Sequence, residues 1–248
     1  MTIVSGMWEQ ASAAPRPERL PMMRRADVAS SLSCALDLAE GRTTGHAQRV
    51  AYIALAIADM LGVEAQVRRA TFYAALLHDT GVASAAAALR PHLRADEMRA
   101  FAALPGDEAA AGGGDRNRIA EIDRALHEHV EAGAELVHRL GFDGDIARAV
   151  RHHHEWWDGN GFPDRLASFD IPVASRLVAV ADVAERLVSD EQNPLAARHR
   201  VFERVSQFAG RVLDPAIASN FILACQDDRF WIELLNPELD PEAVVLAG

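Results

Sequence analysis

Ala74-Ala75-Leu76-Leu77-His78-Asp79 ends an apolar run with an imidazole and a carboxylate side by side, and the reading of this stretch decides the fold. Upstream, the apolar positions Val67, Ala70, Ala74 and Leu77 recur at intervals of three and four, so the run is a helix whose buried face carries two ionisable groups into an apolar setting. Adjacent helical residues point about 100° apart, so His78 and Asp79 do not readily satisfy each other. Two arrangements remain. One is a core histidine beside an aspartate bonded to backbone; in the other the pair flanks an ion, and the second carboxylate oxygen reaches a further one.

The flanking sequence extends the helical pattern. A first helix is expected over 26–41, through Leu32, Leu36 and Leu38. Thr43 or Thr44 then reads as the N-cap of a second, which runs through Val50, Ile53, Leu55 and Ile57 to Leu61 with His46 in its first turn. The segment 81–118 changes character: alanine-rich, with Pro91, a short helix at 94–104 and Gly112-Gly113-Gly114, it reads as a surface insertion rather than a lid. A long helix over 119–140 turns Ile122, Leu126, Val130, Leu136 and Val137 inward and carries His127, His129 and His138. Another helix starts near Asp143, and one from about Pro172 holds Asp182 inside Val180-Ala181-Asp182-Val183-Ala184, where a carboxylate is costly to bury unless bonded or coordinated. No stretch alternates with period two, so the chain is expected to be all-α.

At 248 residues, 50% hydrophobic and 25% charged, the chain has enough apolar material for one large core or two small ones. Its 25 Lys and Arg face 36 Asp and Glu, and a surface of net charge −11 repels nucleic acid and anionic lipid. A phosphate ester would therefore need local cations. Cys34 and Cys225 stand apart without ligand spacing and read as buried thiols of a reducing cytosol. Residues 1–24, with Pro15, Pro17 and Pro21 among charges, read as a flexible leader with no signal-peptide core, and no later run reaches membrane length. The expectation is a cytoplasmic protein without a membrane, DNA or RNA partner, folded as one domain over 25–248.

The densest chemistry is His152-His153-His154-Glu155-Trp156-Trp157-Asp158-Gly159-Asn160-Gly161-Phe162-Pro163. Consecutive histidines at a helix end followed by a glycine-rich turn give imidazoles that converge, with a tight loop free to approach a ligand.

Five motifs in order now carry a resemblance: Thr43-Thr44-Gly45-His46; Leu77-His78-Asp79-Thr80-Gly81; His129-Val130-Glu131-Ala132-Gly133-Ala134-Glu135; His153-His154-Glu155 with 157–163; and Ala179-Val180-Ala181-Asp182. The chain resembles the HD-GYP branch of the HD-domain metal-dependent phosphohydrolases over the motif core 40–190, the helices over 195–248 adding little to the match. The resemblance implies a helical bundle around two divalent ions, iron or manganese. One would be held by His46, His78, Asp79 and Asp182, the other by Asp79, His129, His153 and His154, with Asp79 as the bridging, catalytic carboxylate. The implied reaction is hydrolysis of a small phosphodiester, a cyclic dinucleotide of the cyclic di-GMP type, by a hydroxide bridging the ions. Glu155, Asn160, Gly161, Phe162, Pro163 and Arg176 are the expected substrate-binding or supporting residues, Glu155 by orienting a ligand imidazole. His92, His127, His138, His152 and His199 are expected on the surface or behind the ligands.

This chain departs from the family where cations are common: Val82 follows the His-Asp-x-Gly motif, Ala167 follows the glycine-rich loop, and Glu191 lies beyond Asp182. Phe162 replaces a tyrosine, and Arg42 stands where an upstream acid is usual, which favours two ions over three. A regulatory domain that binds without turnover, and an HD-scaffold diiron oxygenase, are the alternative functions. Phe202, Val205, Phe208, Phe221 and Ile222 are expected to close either the core or a homodimer.

Overall fold

A computed structural model of the chain describes residues 25–40, 44–82, 116–189 and 193–236. The expected leader, the short helix at 94–104, the triple glycine, His92 and Glu191 lie outside the described residues, as does the side chain of Ile122. Among the described residues the architecture is all-α: α1 (Arg25–Glu40), α2 (His46–Leu61), α3 (Ala65–Leu77), α4 (Arg116–Arg139), α5 (Gly144–Arg151), α6 (Val173–Ser189), α7 (Pro194–Phe208), α8 (Pro215–Ala224) and α9 (Asp228–Leu234), with one 3-10 turn at Ser168–Asp170. The pairing between Ala209 and Leu213 is an isolated bridge rather than a strand. None of the described helices is long and apolar enough to cross a membrane.

The core forms around α2, whose Val50, Ala51, Ile53, Ala54, Leu55, Ile57 and Ala58 are buried almost without exception along its length. A helix apolar all round must be covered on every side, and α1, α3, α6, α8 and α9 do so. Leu76 and Leu77 of α3, Leu177, Val178 and Val180 of α6, and Val205, Phe221 and Trp231 of α7 to α9 join the same cluster. The C-terminal helices therefore close this core, the first of the two expected roles. Trp231 is fully buried and gives its indole N–H to Cys225 O at 2.9 Å.

Two local expectations are corrected. Leu38 is 66% exposed, and α1 buries instead Ala26, Ala29, Ser33 and Asp37, a stripe of small and polar residues at spacings of three and four that lets it lie close over α2 and α3. The start of α2 is not capped by a threonine: Gly45 holds the cap position at φ 92°, and Asp37 Oδ2 of α1 accepts from the backbone N–H of Gly45 at 2.9 Å and of His46 at 3.1 Å. A carboxylate at a helix N-terminus meets the orphan donors and the positive end of the dipole together. The cap thus fixes where His46 begins its helix.

Candidate metal centre

His78 and His153 are placed by the same local device. Each follows the last turn of a helix, and each donates Nδ1–H to the carbonyl three residues back, His78 to Ala75 O at 2.8 Å and His153 to Val150 O at 2.6 Å. A carbonyl accepts only, so each ring carries a proton on Nδ1, and in the neutral form the other nitrogen, Nε2, turns its lone pair inward. His46 is fixed differently: its Nδ1 donates to Glu185 Oε2 of α6 at 2.5 Å. The Nε2 atoms of His46, His78 and His153 are buried with no hydrogen-bond partner among the described residues. Buried polar atoms are normally paired, and three lone pairs aimed into one space are what a cation would satisfy.

The rings form a continuous row: His46 to His78 is 5.4 Å between centroids, His78 to His153 5.3 Å, His153 to His154 4.0 Å and His154 to His129 5.4 Å. Asp79 stands across it with its oxygens divided. Oδ2 lies 3.3 Å from His78 Nε2 and 3.7 Å from His46 Nε2, while Oδ1 lies 3.8 Å from His129 Nε2. Asp182 Oδ1 completes one side, 3.4 Å from His46 Nε2 and 3.6 Å from His78 Nε2. Two groups are thus compact enough to hold an ion each, His46 with His78 and Asp79, and His129 with His153 and His154. The residues present fit the metal dependence that the sequence implied.

Electrostatically the halves differ. Burial opposes charge on His78, but Asp79 and Asp182 outweigh it and raise its pKa to about 10. Burial likewise opposes charge on Asp182, yet Arg186 and the rings of His46 and His78 hold it well below the carboxylate range. That half attracts positive charge. Burial, with His78 and His129 nearby, lowers His153 to about 3, and burial with His153 and His129 lowers His154 as well. His153 and His154 are therefore held neutral, the form that ligates.

The loop residues are corrected by the structure. Glu155 orients no imidazole: its Oε1 accepts from Asp164 N at 2.7 Å and its Oε2 from Leu166 N at 3.0 Å, which folds the loop back on itself. His152 is buried rather than on the surface, bonded to Arg148 O at 2.8 Å and Asp164 Oδ2 at 2.9 Å, with Arg151 bridging Asp164 and Glu131. His152, Glu155 and Asp164 also lie close enough to hold an ion, but those partners and the Arg151 guanidinium make it a salt-bridged clasp. Gly161 does not leave room for a ligand; a Cβ there would fall 2.2 Å from Trp156 N, so the glycine lets the loop close on its own backbone. Arg176 is committed elsewhere, donating to Asp214 Oδ2 at 2.6 Å and Ile171 O at 3.0 Å with Trp157 and Phe169 against its guanidinium. Asn160 is exposed at the loop tip and Pro163 is half-buried. Phe162 lies 5.0 Å from both His154 and His127, between the ring row and α4.

Three neighbours of the row were not legible as site residues: Asp37, Arg49 and Glu185. Arg49 reaches Glu185 Oε1 at 2.6 Å, and Arg186 donates to Asp182 Oδ1 at 2.9 Å. The available signal was spacing, since Glu185 lies three residues after Asp182 and Arg49 three after His46, each pair on one helix face.

Residues 115–216, which contain His129, His153, His154 and Asp182, match the HD domain family. The cyclic di-GMP phosphodiesterase response regulator RpfG of Xanthomonas campestris is 30% identical over 169 residues, 67% of this chain and 39% of its own length. The chain thus spans well under half of that relative. A cyclic GMP-AMP-specific phosphodiesterase of Vibrio cholerae superposes with a TM-score of 0.68 at 18% identity, over 89% of this chain and 53% of that one. An HDG"Y"P protein from Bdellovibrio bacteriovorus superposes with a TM-score of 0.53 at 18% identity, over 83% of this chain and 55% of that one. Helix order, ring row and family match agree: the chain carries an HD domain and belongs to that family.

Proposed function

We propose that the protein is a two-metal phosphodiesterase acting on small phosphodiesters, cyclic dinucleotides among them. The observation that carries this reading is the division of Asp79, one oxygen toward His46 and His78 and the other toward His129. A single carboxylate placed between two groups of imidazoles suits two ions a few ångströms apart. His46, His78, Asp79 and Asp182 would hold the first and Asp79, His129, His153 and His154 the second, with iron or manganese suited to the mixed nitrogen and oxygen donors. Such a pair, when bound, supplies Lewis-acid stabilisation of the phosphoryl group and acidifies a water. The chain's own contribution is orientation: carbonyls behind His78 and His153, Glu185 behind His46, and Phe162 against His154 fix the donors before any ligand arrives. Arg186, bonded to Asp182, sets a guanidinium beside the first group where a phosphate oxygen would approach. Relatives named as cyclic di-GMP and 3'3'-cGAMP phosphodiesterases support the substrate class.

The regulatory alternative draws support from the way both arginines are engaged: Arg176 is held by Asp214 and Ile171 O against Trp157 and Phe169, and Arg186 is bonded to Asp182. Turnover separates the two. Elemental analysis of the purified protein, followed by assays on cyclic di-GMP, 3'3'-cGAMP and bis(p-nitrophenyl) phosphate, should find two ions per chain and metal-dependent cleavage. A fully loaded protein that cleaves none of the three is a regulatory domain or an oxygenase on the same scaffold.

A further inference from the structure

Behind the first metal group lies a second layer of residues outside the five sequence motifs. Glu185 is 1% exposed and each of its oxygens is used: Oε2 receives Nδ1–H of His46 at 2.5 Å, and Oε1 receives Arg49 Nε at 2.7 Å, Arg49 Nη2 at 2.6 Å and Ser189 Oγ at 2.6 Å. An ionised carboxylate only accepts, so this contact fixes the proton of His46 on Nδ1 and turns Nε2 toward Asp79 and Asp182. His78 and His153, by contrast, lean on neutral carbonyls. A carboxylate behind an imidazole makes it a better donor than a carbonyl does. The geometry points to Glu185 as a positioning residue, clamped by Arg49 and Ser189, that sets the metal affinity of the His46–His78–Asp79–Asp182 group above that of the His129–His153–His154 group. The two ions are then unequal: the first is tightly held and the second exchanges. This rests on the two-metal reading above.

The buried charges are consistent with such a role. Glu185 is buried and pairs with the part-exposed Arg49, and placing a carboxylate there costs desolvation that is offset where the pair fixes a geometry. On α6 itself Ala181, Ala184 and Val188 beside it are apolar and buried, and the partners of the carboxylate are His46 and Arg49 of α2 and Ser189.

The test is titration of chelator-stripped protein with manganese(II) against a fluorescent competing chelator, for wild type, Glu185→Ala, Glu185→Gln and Arg49→Met. The wild type should bind two ions at separable affinities. Glu185→Ala should weaken one of them by about 10- to 100-fold and leave the other in place. Glu185→Gln should fall between, because an amide oxygen still accepts Nδ1–H, and Arg49→Met should weaken the same ion. In a His129→Ala background, Glu185→Ala should weaken the single ion that remains. If Glu185→Ala does not fold, Glu185→Gln and Arg49→Met decide, since both keep the side-chain volume. Two ions bound with wild-type affinity by every variant overturns the role of Glu185, as does parallel loss of both. A wild type that binds no manganese overturns the two-metal reading along with it.

Discussion

A β-carbon on Gly81 would fall 1.9 Å from the carbonyl oxygen of His129. It would also lie 2.7 Å from Gly133 N, so the turn after Asp79 and the middle of α4 meet backbone to backbone. This contact joins the two halves of the site, because one partner follows Asp79, which faces both imidazole groups, and the other is His129 itself. Gly81→Ala cannot be absorbed by a rotamer change. It should destabilise the fold by about 1–3 kcal/mol and move His129 away from Asp79. Thermal unfolding with elemental analysis checks this, and a variant with unchanged melting temperature and metal content would show that the helices slide apart freely.

Asp79 faces both imidazole groups, so its loss should not be divisible. Asp79→Ala should lose both ions, whereas His46→Ala should lose one, a contrast read by elemental analysis of protein purified in parallel. An Asp79→Ala protein that still carries one ion would make Asp79 a ligand of one site alone.

Much of this was readable from the chain. A helix ending in His78-Asp79, a histidine opening α2 and an aspartate inside an apolar helix were visible as period and residue type, because buried polar groups on apolar stripes are exceptional. What stayed hidden depended on contacts between segments far apart in sequence. Asp37 caps a helix it does not belong to, and Glu185 meets His46 across 139 residues. Residue type marks Arg176 as a phosphate contact, whereas Asp214 takes its guanidinium, and marks Glu155 as an imidazole partner, whereas backbone N–H groups of 164 and 166 take both its oxygens. Residue type identified these as polar groups in need of partners; only the fold determines which partner each one finds.

Register on α4 separates ligand from neighbour. His129 is 1% exposed in the ring row, while His127, about 200° around the helix, touches Phe162. His129→Ala should remove one ion and most activity. His127→Ala should keep both ions and change activity by less than about threefold, since its ring lies against Phe162 rather than in the ring row. Equal damage from the two in a metal and turnover assay would put His127 among the ligands.

Metal removal should reverse the pH dependence of stability. In stripped protein, His78 has its pKa raised from 6.5 to about 10 by Asp79 and Asp182 against the effect of burial, so its contribution is complete below about pH 6.5 and is lost as pH rises toward 10. His153, lowered to about 3 by burial, acts in the other direction: its contribution is present above about pH 6.5 and is lost as pH falls toward 3. The stripped protein should therefore melt highest near pH 6.5. With metal bound, the ion replaces the proton, and stability should hold or rise above that pH. Melting curves of stripped and manganese-loaded protein between about pH 5 and 9 should diverge on the alkaline side; parallel curves would mean that no ion occupies the His78 group.

Substrate handling follows from which cations the fold leaves near the row. Val82, where the family commonly has a lysine, is 3% exposed, so a lysine there would carry its charge into a buried position. Val82→Lys should lower stability by several kcal/mol, about the cost of burying an unpaired charge, and should not speed cleavage. Arg186, half-buried beside Asp182, is the better placed cation. Arg186→Ala should raise KM for cyclic di-GMP about tenfold or more, as loss of a charge-assisted contact does, with a smaller effect on bis(p-nitrophenyl) phosphate, which presents a single phosphate. Wild-type protein should cleave the small diester faster than the dinucleotide, because a protein of net charge −11 repels a doubly anionic substrate more strongly. Turnover of both substrates by the three proteins at matched metal content measures all of this. Rapid cleavage of cyclic di-GMP that survives Arg186→Ala would show that another group holds its phosphates.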